Sequence, residues 1–343
     1  MNMEAMTIGL DLAKNVFQLH GVDAMGRVVV RKKLRRSEVV AFFSKLAPCL
    51  IGIEACGSAH YWGRELAALG HEIRLMPAAY VKPYVKRGKN DAVDAEAICE
   101  AVTRPTMRFV AVKSADQQSI LMLHRTRDLL VRQRTMLINS LRGQMAEFGL
   151  VVPQGVSKIK EFAELINFTP STVLPDTAKS CAGILLRQIG ELQQEVGSIE
   201  RSILACHRSS EVSQRLETIP GVGTITATAI AATVADAKVF ESGRHFAAWV
   251  GLTPRQSGTG GKVHLGKISK KGEAYLRRLL VLGATALIRY ARNRPEIATW
   301  INGLLARRPP RVVIVAVANK LARIAWAVMV GGKEYRGGAV SVS

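Results

Sequence analysis

The chain has 343 residues, with 48 Lys and Arg against 27 Asp and Glu, a formal net charge of +21, and 48% hydrophobic residues. That length accommodates two cores, or one core with a helical extension, and the hydrophobic share excludes a largely disordered polycation. So positive a folded chain points to a polyanionic partner, nucleic acid first.

Met6–Leu12, Asn15–Val22 and Arg27–Leu34 read as three strands joined by tight turns. Leu50–Glu54 reads as a buried strand, Tyr61–Leu69 as a helix stopped by Gly70, and His71–Met76 as a strand ending before Pro77. Three meandering strands followed by α/β units predict an RNase H-like sheet. An actin-like or sugar-kinase ATPase opens in the same way, but it needs a second phosphate-binding loop after the sheet, and none is found.

Four acids stand out against the basic background. Asp11 closes the apolar run from Met6, Glu54 closes the run from Leu50, and Asp91-Ala-Val-Asp94 opens a helical stretch. Neighbouring strands can bring the first two together, and Asp91 and Asp94 share one helix face. Left bare, such carboxylates repel one another and at least one pKa rises; Mg²⁺ or Mn²⁺ removes the conflict and serves phosphoryl transfer. The plainer reading of the second pair is a helix cap at Asp91 and a first-turn acid at Asp94 favoured by the helix dipole.

Beyond Pro105 the character changes. Gln117–Phe148 is helical by pattern, and after Pro153, Pro170 and Pro175 comes a second long helix. Its Leu185, Ile189, Leu192, Val196, Ile199 and Ile203 recur at coiled-coil spacing, pairing either within the chain or between subunits. The stretch Thr218–Ile230 resembles a helix-hairpin-helix, in which the turn at Gly221 and Gly223 offers backbone N–H groups to a DNA phosphate. An ordinary Gly-rich helix start is the alternative. From Arg244 to Arg294 there are eleven Lys or Arg and one acid, Glu273. Within it, the loop Arg255–Lys262 with Lys267, Lys270 and Lys271 favours phosphate contact over a merely solvated face.

Five cysteines, none in a Cys-x-x-Cys pair, exclude a zinc framework. The N-terminus carries Glu4 and no long apolar core, so it does not read as a secretion signal, and Val312–Val330 is interrupted by Asn319, Lys320 and Arg323. A cytoplasmic protein with no membrane span is expected.

Taken together, Ile8-Gly-Leu-Asp11-Leu-Ala-Lys14, Ile53-Glu54-Ala-Cys-Gly57, Lys89-Asn-Asp91-Ala-Val-Asp94-Ala95, and Gly251 to Lys262 followed by Ile268-Ser-Lys-Lys-Gly272 resemble the DEDD-type transposases of bacterial insertion sequences. This is the IS-one-ten family, relatives of the Piv DNA invertases, and the resemblance runs over nearly the whole chain. It implies a RuvC-like RNase H-fold catalytic domain over 1–108, a helical coiled-coil region over 109–210, and a mainly α transposase domain with a helix-hairpin-helix and nucleophile loop over 211–343. It implies that Asp11, Glu54, Asp91 and Asp94 hold Mg²⁺ or Mn²⁺. A hydroxyl of the C-terminal loop then attacks DNA to give a covalent intermediate, so that strands rejoin without ATP. A bridge RNA made by the element would select target and donor DNA. The family places a serine before a glycine in this loop; Thr259 stands there by register, whereas Ser257-Gly258 matches the pair with a shift, so both are candidates. A homo-oligomer, dimer or tetramer, is expected because recombination holds two duplexes. The competing reading is a structure-selective nuclease of the junction-resolvase type, which uses the same acids with water and needs neither hydroxyl.

Overall fold

Alternating apolar residues at the N-terminus build one mixed sheet. The computed structural model describes residues 6–85, 91–290 and 295–336, apart from the side chains of Asp91 and of residues 295–298. The chain divides into two compact units, the first ending at Gln117.

The first unit runs β1 (Thr7–Asp11), β2 (Val16–Val22), β3 (Val28–Arg35), α1 (Val39–Phe43), β4 (Leu50–Glu54), α2 (Ala59–Ala68), β5 (Glu72–Met76), α3 (Ala78–Val81) and α4 (Asp91–Val102). Its five strands lie in the order β3-β2-β1-β4-β5. The first three form an antiparallel meander, while β1, β4 and β5 are parallel. This is the mixed sheet expected of an RNase H-like domain. Ile8, Leu10, Ile51 and Ile53 point to one face and are buried with Phe17, Phe43, Trp62 and Leu66. The edge strand β3 exposes Arg31, Lys32, Lys33 and Arg35, charges that discourage edge-to-edge pairing.

On the opposite face α4 lies directly on the backbone of the two central strands. Gly9 and Gly52 are register partners in β1 and β4. A Cβ on Gly9 would stand 2.1 Å from the carbonyl oxygen of Ala95, and one on Gly52 would stand 2.8 Å from Cβ of Val102. Only hydrogen fits beneath the helix, and Gly9→Ala must push α4 off the sheet. Overpacking of this kind costs about 1–3 kcal/mol or more, because the obstacle is backbone. A clear fall in the melting temperature of the variant is expected, whereas Gly143→Ala, with nothing within 4 Å of the added carbon, is neutral or slightly stabilising. Equal melting of Gly9→Ala and wild type would contradict the packing.

The second unit contains α5 (Ala115–Ala146), α6 (Ile159–Phe168), α7 (Asp176–Arg208), α8 (Glu211–Glu217), α9 (Thr224–Thr233), α10 (Gly243–Val250), β6 (Pro254–Thr259), β7 (Lys262–Ile268), α11 (Ala274–Tyr290), α12 (Pro295–Leu305) and α13 (Pro310–Gly331). The two long helices lie antiparallel: Arg127 of α5 bonds Glu200 of α7 at 2.6 Å, and one heptad further along α5, Arg134 bonds Gln193. Along α7 the buried positions Ala182, Ile189, Val196 and Ile203 recur every seventh residue, so this stripe is already covered within one chain. The remaining helices enclose a core of Phe246, Val250, Leu276, Leu280, Val317, Leu321 and Ala325. One helix among the described residues, α13, is long and apolar enough to cross a membrane by length and composition. Eight of its residues, from Val313 to Val328, are buried in this core.

His124 ties three helices of this unit together. From α5 its ring contacts the Tyr275 hydroxyl of α11 at 3.0 Å and the Thr228 hydroxyl of α9 at 3.1 Å, and only 1% of the residue is exposed. Burial first, and then the charge of Arg127, push its pKa down from 6.5 to about 4. Between those values the unfolded chain binds a proton that the folded chain refuses, so stability falls as the pH drops from about 6.5 towards 4. The depression corresponds to roughly 3 kcal/mol. Urea midpoints should therefore decline through that window, and His124→Gln should flatten the decline; an unchanged slope would rule out His124 as its source.

Candidate active site

Asp11 and Glu54 occupy the C-terminal ends of β1 and β4, one step beyond the paired residues Leu10 and Ile53. Side chains alternate along a strand, so each acid lies on the same face as the glycine two residues before it, the face covered by α4. The first turn of α4 carries Asp94 to these strand ends, and the charges interact accordingly. Burial first, and then the charge of Asp94, raise the Glu54 carboxyl above its ordinary value. Partial desolvation, then Glu54 and Asp11, do the same to the neighbouring Cys56 thiol.

Among the described residues no three His, Cys, Asp or Glu side chains come close enough to hold a metal by themselves. Of the four expected acids, Asp11 and Glu54 stand at adjoining strand ends, Asp94 is near enough to raise the Glu54 carboxyl, and the side chain of Asp91 lies outside the described residues. The donors are all carboxylate oxygens, which suits a hard divalent cation.

Sequence reasoning passed over Gly9 and Gly52, the residues that let α4 reach the acids. Their signal is a shared spacing, Gly9-Leu-Asp11 and Gly52-Ile-Glu54.

In the second unit the segment read as a loop is a hairpin. Thr259 and Lys262 pair across the two-residue turn Gly260-Gly261, and both glycines have positive φ, 58° and 80°. Left-handed backbone at both central positions is the twist that a tight hairpin requires, and Gly-Gly supplies it at no steric cost. The strand signal was hidden because every residue of β6 is exposed, so no apolar alternation marks it. Pairing sets Ser257 opposite His264, Thr259 opposite Lys262, and Gly258 opposite Val263. Ser257, Thr259, Lys262 and His264 therefore share one face of the ribbon. Its base is fastened where the Ser269 N–H donates to the Thr253 carbonyl at 2.8 Å and the Arg255 guanidinium donates to the Ser269 carbonyl at 3.3 Å. Lys267, Lys270 and Lys271 are exposed along and just beyond β7.

The turn between α8 and α9 divides its two glycines. A Cβ on Gly221 would meet the carbonyl oxygen of Gly283 in α11 at 3.1 Å, so Gly221 has a packing reason, whereas Gly223 is exposed with open space around it. The Glu217 carboxylate accepts a hydrogen bond from the Thr224 hydroxyl at the first residue of α9.

A mixed five-stranded sheet with acids at the ends of its central parallel strands, and a helical second unit, have the form of an RNase H-like DEDD domain joined to a mainly helical partner region. The model of the DEDD transposase domain of IS110 elements matches residues 8–149, and that of the "Transposase IS116/IS110/IS902 family" matches residues 213–299. The chain is 48% identical to a putative transposase, y4pF/y4sB, of Sinorhizobium fredii, over 97% of this chain and 86% of the relative. It is 49% identical to a probable family 20 transposase of Pseudomonas aeruginosa, over 98% and 100% respectively. A pilin gene-inverting protein of Moraxella bovis is 29% identical over 36% of this chain and 37% of the relative. The chain belongs to the IS110/IS116 family of insertion-sequence transposases, enzymes that cleave DNA and transfer its strands. The DEDD domain makes that chemistry dependent on a divalent metal.

Proposed function

We propose that this transposase cuts and rejoins DNA through a covalent protein–DNA intermediate, using Asp11, Glu54, Asp91 and Asp94 to hold Mg²⁺ or Mn²⁺ and a hydroxyl on the β6–β7 ribbon, Ser257 or Thr259, as the nucleophile. The observation that carries the reading is the placement of Asp11 and Glu54 at neighbouring strand ends beneath the first turn of α4. When bound, the cation would offset the negative charge that develops on the phosphoryl oxygens. Asp11 and Glu54 at the strand ends and Asp94 on α4 present like charges to one site, so a divalent cation held there would relieve their repulsion. Arg255, Lys262, Lys267, Lys270 and Lys271 neutralise phosphates along the ribbon, and Gly223 opens the α8–α9 turn, a helix-hairpin-helix, to the backbone of a duplex.

The division into a catalytic domain over 1–108, a coiled-coil region over 109–210 and a C-terminal domain over 211–343 belongs to this reading. So do guidance by a bridge RNA, assembly as a dimer or tetramer, and a cytoplasmic location. Self-association would draw on the half-exposed Leu185, Leu192 and Ile199 of α7 or on another surface. The deciding experiment incubates the full chain, with its co-purifying nucleic acid, with a plasmid carrying the ends of its own element. A protein–DNA adduct that survives denaturation and maps to the ribbon is expected. Nicked or cut DNA with a free terminal phosphate and no adduct would instead favour the water-using nuclease.

A further inference from the structure

The two candidate hydroxyls differ in what faces them across the hairpin. Thr259 is opposed by Lys262 and Ser257 by His264. Directly opposed residues of an antiparallel pair have Cβ atoms about 4.5–5.5 Å apart and side chains on the same face. An ammonium ion is already protonated and cannot take a proton at neutral pH, whereas an imidazole can. We infer that His264 is the general base for Ser257, which makes Ser257 the attacking hydroxyl and leaves Lys262, two residues along the same face, to offset charge on the phosphate. The inference rests on the reading above, in which a ribbon hydroxyl attacks DNA.

The chemistry balances without a further reagent. As Ser257 Oγ bonds to phosphorus, its proton passes to the imidazole, the bond from phosphorus to the departing sugar oxygen breaks, and that oxygen takes a proton from water. In rejoining, the sugar hydroxyl attacks phosphorus and gives its proton back to the solvent hydroxide, the bond from phosphorus to Oγ breaks, and the imidazolium returns its proton to Oγ, so one residue serves as base and then as acid. The charged groups beside His264 on this face of the ribbon are Lys262 and Arg255, and every residue of β6 and of β7 up to Lys267 is exposed. His264 and Ser257 therefore have room to close on a substrate phosphate.

The test measures single-turnover adduct formation by the full chain on the same plasmid across about pH 5.5 to about pH 8.5. His264→Gln and His264→Ala are expected to slow the adduct by about 10²-fold or more, to leave plasmid binding unchanged, and to abolish the rise of rate with pH. Free imidazole should partly restore the His264→Ala rate, a rescue that a merely structural residue does not show. A wild-type rate and pH profile in His264→Gln, or an adduct mapped to Thr259, would overturn the assignment. A rate loss that simply follows lost plasmid binding would overturn it as well. Absence of any adduct from the wild-type chain would overturn the covalent reading together with this one, whereas an intact adduct in His264→Gln removes only the base.

Discussion

Asp11→Asn, Glu54→Gln and Asp94→Asn each abolish strand cleavage while nucleic-acid binding stays largely intact. The acids lie at the strand ends and on the helix beneath, and the basic residues proposed to hold phosphate lie on the ribbon, so the two functions rest on different side chains. Loss of one carboxylate leaves a defective oxygen shell for a hard cation, and a fall in cleavage of about three orders of magnitude or more is expected. Glu54→Gln carries a second signature. Because burial and Asp94 raise the Glu54 carboxyl above its ordinary value, ionisation of this group costs stability as the pH rises through its folded pKa. The amide cannot ionise, so the metal-free variant melts higher than the wild type at neutral pH even as activity is lost. Divalent cation raises the wild-type melting temperature by binding the folded state, and that rise shrinks in all three variants. Normal recombination by Asp11→Asn at unchanged Mg²⁺ would sink the assignment.

Ser257→Ala eliminates the covalent adduct, and Thr259→Ala slows it while leaving it detectable. Metal-bound acids suffice for hydrolysis, but rejoining needs the phosphodiester energy to be held in a bond to the protein. Both variants keep the melting temperature and the divalent-cation response, because the two residues are exposed on a hairpin with no core of its own. Denaturing gels read the adduct, and peptide mapping identifies its residue. If the double variant Ser257→Ala/Thr259→Ala still forms adduct and recombines DNA, a hydroxyl of this ribbon is not the nucleophile.

Much of the first unit is legible in the chain because each strand buries one face. Met6–Leu12, Asn15–Val22, Arg27–Leu34, Leu50–Glu54 and His71–Met76 as read from sequence fall within a residue or two of β1 to β5, and the long helices α5 and α7 emerge from their apolar spacing. The hairpin of β6 and β7 was not legible by periodicity, since exposed strands carry no alternation to read, although Gly260-Gly261 was a turn signal of the expected kind. Composition and the positions of Asp11, Glu54, Asp91 and Asp94 also suggest the chemistry to look for, because carboxylates closing apolar strands in a strongly basic chain suit a divalent cation beside a phosphate.

Tertiary structure alone decided how these pieces meet. The sequence leaves open what the α7 seam packs on; within the chain Ile189, Val196 and Ile203 are buried, and bonds from Arg127 to Glu200 and from Arg134 to Gln193 tie α7 to α5. It leaves Gly221 and Gly223 equivalent, whereas the positive φ of Gly221, 88°, and its approach to Gly283 separate them. Spacing along the chain leans to Thr259 over Ser257, and only cross-strand register places an imidazole before Ser257 and an ammonium before Thr259. The physical reason is common to all three: spacing along a chain fixes which face a side chain takes, whereas its neighbour on that face comes from residues distant in sequence and is set by packing.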